Sequence, residues 1–200
     1  MNVEYAVMEK SRIIPPGTQR VFIGIPVDRR SQKHITGLLK PVINSRLDAA
    51  WVPESNRHLT LAFLGDRPIF VIEDLLRVFD ETYQQQACFQ FSLRKLTRFP
   101  DVTGRIIALT GESTGPLENL FQITRKLLRI KGLEFDRKPF RPHVTLGRIR
   151  RAKHVKMSVD QHVNINLDVT KISLYQSTLT ETGSVYTSLK ETQLHRSSYP

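Results

Sequence analysis

The sequence has few of the features that mark disulfide-stabilised, membrane-spanning or disordered proteins. Its 200 residues include a single cysteine, Cys88, which excludes an internal disulfide and a cysteine-rich metal site. The first twenty residues carry charges and contain no apolar run long enough for a signal peptide or a membrane span. Glycine and proline are at ordinary levels, and 40% of the residues are hydrophobic, enough to bury a core. We therefore expect a cytoplasmic globular protein without a membrane partner.

Acidic residues are also scarce, because 19 Asp and Glu face 30 Lys and Arg, which leaves a net charge of +11. Residues 137–159 contain no acidic side chain and hold a dense group of basic ones: Arg137, Lys138, Arg141, Arg148, Arg150, Arg151, Lys153 and Lys156. Such a block favours a polyanionic partner such as RNA, although a solvated basic surface has the same composition.

The distribution of apolar residues predicts one α+β domain over residues 19–200, preceded by an irregular arm over residues 1–18 that ends in Pro15, Pro16 and Gly17. Tight turns between neighbouring strands favour antiparallel pairing. Helices are predicted from Asp28 to about Pro41, over 69–83, and from Gly115 to Gly132. Strands are predicted at 20–27, 50–52, 58–64, 88–96, 105–109, from 143, at 165–176 and at 184–194.

Two segments separated by almost half the chain carry the same short pattern. Residues 58–61 read His-Leu-Thr-Leu and residues 143–146 read His-Val-Thr-Leu, so that the histidines lie 85 positions apart (143 − 58). Two lobes of similar size, each presenting one copy, would explain this repeat.

On a strand, alternate residues share a face, so each motif directs one imidazole and one hydroxyl into the same space. A neutral imidazole can accept a proton from water while a protonated one donates to a leaving oxygen, which suits phosphoryl transfer. A lone His-x-Thr is usually structural, but two related copies favour catalysis. Zinc is less favoured, because neither motif has a second ligand at the usual spacing. The remaining histidines are expected to be surface or structural: His34, His154, His162 and His195.

Four segments extend the pattern into a family resemblance: RVFIGIPV (20–27), WVPESNRHLTLAFLGD (51–66), FDRKPFRPHVTLGRIR (135–150) and LYQSTLTETGSVYTSL (174–189). Together they resemble the RNA 2′,3′-cyclic phosphodiesterases, or 2′-5′ RNA ligases, of the two-histidine (2H) phosphoesterase superfamily. The resemblance implies a bilobal α+β fold with two antiparallel sheets flanking a central cleft and helices outside, without metal or cofactor. It implies hydrolysis of RNA 2′,3′-cyclic phosphate ends, or of small cyclic nucleotides, to 2′-phosphates. Ligation of 2′-5′ ends would be the reverse reaction on the same groups.

By motif position, the resemblance implies that His58 is the proton donor and His143 the proton acceptor. Thr60 and Thr145 would contact the phosphate, and Arg148 would bind it. Strict alternation from His143 places Arg148 on the opposite face of the strand, so a bulge, bend or strand end is required.

Other residues near the motifs have weaker assignments. Arg141 and Arg150 are candidate phosphate contacts or solvated charges, while Phe22 and Trp51 are expected in the core. Two classes of function stay open, a monomeric metal-independent phosphodiesterase and a non-catalytic basic RNA-binding protein.

Overall fold

The computed structural model describes residues 16–45, 47–113, 115–135, 138–150, 160–181 and 183–196. Most of the predicted arm, Arg137 and the basic stretch 151–159 lie outside the described residues, as does His154. The last residue assigned to the arm, Thr18, already belongs to the first strand.

The described residues form nine strands, three α-helices and one short 3₁₀ helix. Along the chain these are β1 (Thr18–Pro26), α1 (Arg29–Asn44), β2 (Ala49–Trp51), the 3₁₀ helix (Glu54–Asn56), β3 (His58–Pro68), α2 (Ile69–Tyr83), β4 (Phe89–Phe99), β5 (Ile106–Thr110), α3 (Gly115–Ile130), β6 (His143–Ile149), β7 (Gln161–Val169), β8 (Lys171–Thr180) and β9 (Gly183–Gln193).

The strands follow the order β7-β4-β5-β6-β3-β1-β8-β9, and β2 pairs with β6 beside this path. Every neighbouring pair is antiparallel. We call β1, β3, β8 and β9 the first half of the sheet, and β4 to β7 the second half. The halves meet through one paired position, Leu59 with Val144. The predicted α+β class is confirmed. The two antiparallel sheets that the resemblance implies are the two halves of one continuous sheet, joined at that position.

The sheet is curled, because β7 is the first strand in this order and β8 the seventh, yet Thr170 alone separates them along the chain. The residue that caps the start of α1, Asp28, also contacts β7 in the second half of the sheet. The Asp28 carboxylate accepts hydrogen bonds from the backbone N–H groups of Ser31, at 2.9 Å, and Asp168, at 3.0 Å. The predicted N-cap of α1 is therefore confirmed, and the same carboxylate also holds β7.

The core lies between the helices and one face of the sheet. Ile72, Leu75 and Phe79 form the buried stripe of α2, and Leu59 and Val144 of the sheet are fully buried beneath the helices. Side chains alternate across a strand, and Leu59 and Val144 point into the core. The residues before and after each of them in its strand therefore point to the opposite, concave face.

Two predicted boundaries are wrong. Helix α1 continues through Pro41 to Asn44, since Pro41 and Gly37 are both exposed and the carbonyl freed by the proline can face water. The predicted strand 165–176 is the end of β7 and the start of β8, divided at Thr170. Burial continues on both sides of that residue, and no glycine or proline marks the turn.

Candidate active site

The two His-x-Thr motifs begin β3 and β6 and lie on the concave face of the sheet. The pair Leu59 and Val144 fixes their register, because both of these side chains point into the core. His58 and Thr60 therefore share a face with the second motif's histidine and threonine. In the antiparallel direction, His58 lies on the side of Thr145, and Thr60 lies on the side of His143. The predicted convergence of the four side chains is present in the fold.

Each histidine is held by the backbone carbonyl two residues before it. Nδ1 of His58 is 2.7 Å from the oxygen of Asn56, and Nδ1 of His143 is 2.8 Å from the oxygen of Arg141. A carbonyl only accepts, so both Nδ1 atoms carry the proton, and Nε2 is the atom of each ring that can gain or lose one. Nε2 of His58 also lies 3.1 Å from the hydroxyl oxygen of Thr60.

Both imidazoles also pack on a phenyl ring. Phe22 lies 4.6 Å from His58 between ring centroids, and Phe99 stacks on His143 at 4.0 Å with the planes 21° apart. Phe22 is only 3% exposed, as expected of a core residue, but it also supports His58. In the first half, Tyr186 of β9 also contacts His58 edge to face, with the ring centroids 5.1 Å apart.

Burial lowers the pKa of both histidines. The pKa of His58 falls from 6.5 to about 4, mainly because burial disfavours the charged ring; the Asn56 carbonyl opposes this, and the charge of His143 adds to it. Burial also lowers the pKa of His143, the carbonyl of Arg141 opposes the effect, and the positive charges of Arg141 and Arg148 add to it. Both shifts favour the neutral form of the imidazoles in the free protein.

A β-bulge brings Arg148 to the same side as His143. Thr145 pairs with Ala108 and Gly147 with Ile107, which leaves Leu146 as an extra residue in β6. The extra residue reverses the alternation, so that Arg148 is exposed on the concave face while the following residue is 3% exposed in the core. The bulge, bend or strand end that Arg148 requires to share a face with His143 is therefore present, as a bulge.

Trp51 packs against the bulge. A Cβ atom on Gly147 would lie 2.8 Å from its indole ring, so only a glycine fits beneath the indole at this point. The backbone N–H of Val52 also donates to the carbonyl of the extra residue, Leu146, at 2.9 Å. Strand β2 therefore stabilises the bend that directs Arg148.

The first motif contains the same irregularity with a different side chain at its end. Thr60 pairs with Gly24 and Ala62 with Ile23, so the extra residue lies between them. Phe63 then occupies the position that corresponds to Arg148 and is 47% exposed. The guanidinium of Arg20 lies 5.0 Å from the centroid of the Phe63 ring.

The remaining candidates divide between the site and the surface. Arg141 adjoins the site: its guanidinium donates to the carbonyl of Pro100 at 2.5 Å and lies 4.8 Å from the centroid of the Phe99 ring. Arg150 does not join it, because its guanidinium, 67% exposed, faces Asp48 at 3.9 Å. The histidines outside the motifs that the structure describes are exposed: His34, His162 and His195.

The sequence did not predict the supports of the two histidines. The rings of Phe99 and Tyr186 reach the imidazoles from distant strands, and no local pattern indicates that contact. The carbonyls of Asn56 and Arg141 did have a signal, since both occupy the same place, two residues before a motif histidine.

Within the described residues, no three His, Cys, Asp or Glu side chains come close enough to hold a metal ion. No helix in the described ranges is long and apolar enough to cross a membrane.

Comparison with known proteins connects this arrangement to a family. Residues 28–181 match the family model described as 2′-5′ RNA ligase superfamily. An RNA 2′,3′-cyclic phosphodiesterase of Aquifex aeolicus is 30% identical over 86% of this chain and 95% of its own length. An RNA 2′,3′-cyclic phosphodiesterase of Thermotoga maritima is 29% identical over 87% of this chain and 95% of its own length. The crystal structure of E. coli LigT in its apo form has the same fold, with a TM-score of 0.74, 24% identity and coverage of 90% of this chain and 99% of LigT.

Proposed function

Because the chain belongs to the 2′-5′ RNA ligase superfamily, we propose that it is an RNA 2′,3′-cyclic phosphodiesterase that uses His58 and His143 as a proton donor and acceptor. The products would be RNA ends, or nucleotides, that carry a 2′-phosphate. Residues 19–200 would act as one unit, to which each half of the sheet contributes one motif. The observation that carries the proposal is the symmetric hold on the two imidazoles, each fixed at Nδ1 by a carbonyl.

The chemistry follows from the two Nε2 atoms, which can gain or lose a proton while Nδ1 keeps its own. His143 accepts a proton from water as the new oxygen–phosphorus bond forms. The bond from phosphorus to the ribose 3′-oxygen breaks, and His58 gives its proton to that oxygen. One neutral and one protonated imidazole are needed at the start, and they exchange these forms during the reaction.

The surroundings of the two rings support this division of roles. His143 lies near the charges of Arg141 and Arg148, which disfavour its protonated form and suit a base. His58 lies among aromatic rings, a surface suited to the ribose whose oxygen it would protonate. The bound phosphate is an anion and raises the pKa of both imidazoles. On His58 it opposes the effect of burial, whereas on His143 the charges of Arg141 and Arg148 still disfavour the protonated form.

Thr60, Thr145 and Arg148 would bind the phosphate. The two hydroxyls share a face with the imidazoles and can donate to non-bridging oxygens. The guanidinium of Arg148, placed there by the bulge, can stabilise the charge that accumulates as water attacks.

An assay with chelator-treated protein tests the proposal. We expect the protein to convert a 2′,3′-cyclic-phosphate-terminated oligonucleotide, and cyclic mononucleotides, to products with the phosphate at the 2′ position. Product identity is read by chromatography against 2′- and 3′-phosphate standards. Loss of activity on chelation with recovery on adding zinc or manganese would contradict the acid–base assignment.

The double variant His58→Asn with His143→Asn separates this enzyme from a non-catalytic RNA-binding protein. Both functions predict retained RNA binding, measured by fluorescence anisotropy. Only the enzyme predicts that turnover present in the unaltered protein disappears in the variant.

A further inference from the structure

The outer side of α1 carries a stripe of positive charge. Within the described residues, α1 is the only α-helix whose sequence contains no Asp or Glu. At 3.6 residues per turn, its exposed cations fall within about 100° of one another around the helix axis, on the side opposite the buried residues. We call these four residues the basic stripe: Arg29, Arg30, Lys33 and Lys40.

No ion pair neutralises the basic stripe within the part of the chain that the structure describes. The two carboxylates beside α1 are engaged elsewhere, since Asp28 caps the helix and Glu54 accepts a hydrogen bond from Thr36 and faces Arg57 at 3.8 Å. The cations that do form ion pairs lie outside α1: Arg57, Lys95, Lys131, Arg150, Lys171 and Lys190. The charge of the stripe is therefore available to an anionic partner.

A glycine lies in the middle of the stripe, where packing does not require one. Gly37 is exposed, and a Cβ atom added to it would meet no atom within 4 Å. Glycine destabilises the interior of a helix relative to alanine, so this position lowers helix stability without a steric reason among the described residues. The missing side chain lets the backbone of a partner come close to the helix between Lys33 and Lys40.

The stripe begins near the candidate active site. Pro26 pairs with His58 in the sheet, and Arg29 follows Pro26 by three residues, so the Cα atoms of Pro26 and Arg29 are at most about 11 Å apart. Helix α1 packs on the core side of the sheet, and its stripe extends over about 17 Å to Lys40. A chain that leaves the cleft past His58 can therefore follow the stripe, whereas a mononucleotide held in the cleft does not extend as far as Lys33.

We propose that the basic stripe of α1 binds the sugar–phosphate backbone of the RNA whose cyclic-phosphate end lies in the cleft. This inference rests on the proposed function, which supplies a polyanionic substrate. Phosphates repeat along an RNA strand, and cations that neutralise them release counterions, which favours binding. Contacts of this kind do not read the bases, so the stripe selects RNA by length and leaves its sequence unread.

The test measures binding of a fluorescein-labelled RNA dodecanucleotide that ends in a 2′-phosphate, the proposed product. Fluorescence anisotropy is recorded at several salt concentrations. We expect Lys33→Gln combined with Lys40→Gln to weaken binding at low salt about tenfold or more, as for loss of hydrogen bonds to charged groups. The slope of log K against log salt should fall by about 1 to 2, because each phosphate contact contributes nearly one. The kcat/KM for a cyclic mononucleotide should not change.

Gly37→Ala distinguishes a binding surface from a merely solvated one. Alanine favours the helix, so the variant should unfold at a higher temperature than the unaltered protein. Its methyl group stands where the phosphate backbone would approach, so the variant should also lose affinity for the dodecanucleotide. Gained stability together with lost RNA affinity is the expected result, and equal or tighter RNA binding would overturn the inference.

Helix α3 provides the matched control. Lys126 and Arg129 are exposed on it, so Lys126→Gln combined with Arg129→Gln removes the same charge from a different helix. Unchanged affinity and salt slope in the α1 double variant, or an equal fall in the α3 double variant, would overturn the inference while hydrolysis of the mononucleotide still supported the proposed function. Failure of the unaltered protein to hydrolyse the mononucleotide would contradict the proposed function itself.

Discussion

The two halves of the sheet present their motifs with the same backbone and different surroundings. In both, a histidine begins a strand, a carbonyl two residues earlier holds Nδ1, and a phenyl ring supports the imidazole. In both, a bulge after the threonine turns a later side chain toward the concave face. That side chain is Phe63 in the first half and Arg148 in the second.

Under the proposed function, this difference would let one structural device serve opposite roles in proton transfer. The repeated backbone fixes where two imidazoles lie, while nearby residues decide how readily each holds a proton. Arginine charges act on His143, whereas His58 is lined by Phe22 and Tyr186. Variants that remove the shared features test the likeness of the halves, and variants at the unmatched positions test their difference.

The largest effect should come from removing either imidazole. We expect His58→Ala and His143→Ala each to lower kcat about 10²- to 10⁴-fold, the usual contribution of a positioned acid or base, with a smaller change in substrate affinity. Steady-state kinetics on a cyclic mononucleotide measures this, and a folded variant is verified by circular dichroism.

A better leaving group then distinguishes the two roles. A phosphodiester that releases 4-nitrophenolate needs little protonation of its leaving oxygen, so it should partly rescue His58→Ala and leave His143→Ala slow. Rescue of His143→Ala alone would reverse the assignment, and full activity in either variant would exclude this mechanism.

The next effect is the pH dependence of stability. Folding lowers the pKa of His58 from 6.5 to about 4, so below pH 6.5 the unfolded chain binds the proton more readily. The contribution of His58 to stability is complete above pH 6.5 and falls between pH 6.5 and 4 by up to about 3 kcal/mol. Urea unfolding at several pH values should show a shallower dependence in His58→Gln than in the unaltered protein. Equal slopes would mean that His58 is not perturbed by burial.

A smaller effect should separate the equivalent positions. We expect Arg148→Met to lower kcat/KM about ten- to a hundredfold, the range for loss of a charge-assisted hydrogen bond to phosphate. Because the guanidinium also lowers the pKa of His143, the variant should shift the pH limb of that histidine upward. Phe63→Met, the matched change in the first half, should alter kcat/KM less than threefold. Equal losses in the two variants would contradict a phosphate-binding role for Arg148.

The local features of the site could be predicted from sequence, because they depend on residues close together in the chain. Alternation placed His58 and Thr60 on one face, and the mismatch at Arg148 indicated a bulge or bend. Features that depend on cross-strand register could not be predicted, such as the stacking of Phe99 on His143. The turn at Thr170 was missed because the buried apolar pattern continues across it.

The smallest effect concerns the residues that hold the imidazoles. The side-chain amide of Asn56 donates to the carbonyl of Ser184 in β9 at 2.6 Å, while its own carbonyl accepts from His58. The residue therefore fixes the ring through its attachment to the neighbouring hairpin, as Arg141 does in the second half through Pro100. We infer that Asn56 is a positioning residue.

Asn56→Ala removes the attachment and keeps the carbonyl, so we expect kcat to fall about three- to tenfold, as for loss of one neutral hydrogen bond, with KM unchanged. A looser contact with the carbonyl should also move the pH limb of His58 to lower pH, because that contact raises its pKa. Asn56→Leu keeps a side chain of similar size without the donor or a charge and should behave like Asn56→Ala. Ser188→Ala, which removes a 3.2 Å bond to the carbonyl of Lys190 within β9, is the control and should leave the limb in place. If Asn56→Ala lowers thermal stability but leaves kcat and the pH limb unchanged, the Asn56 side chain stabilises the hairpin and does not position His58. The two halves would then share only the backbone carbonyl that holds each imidazole.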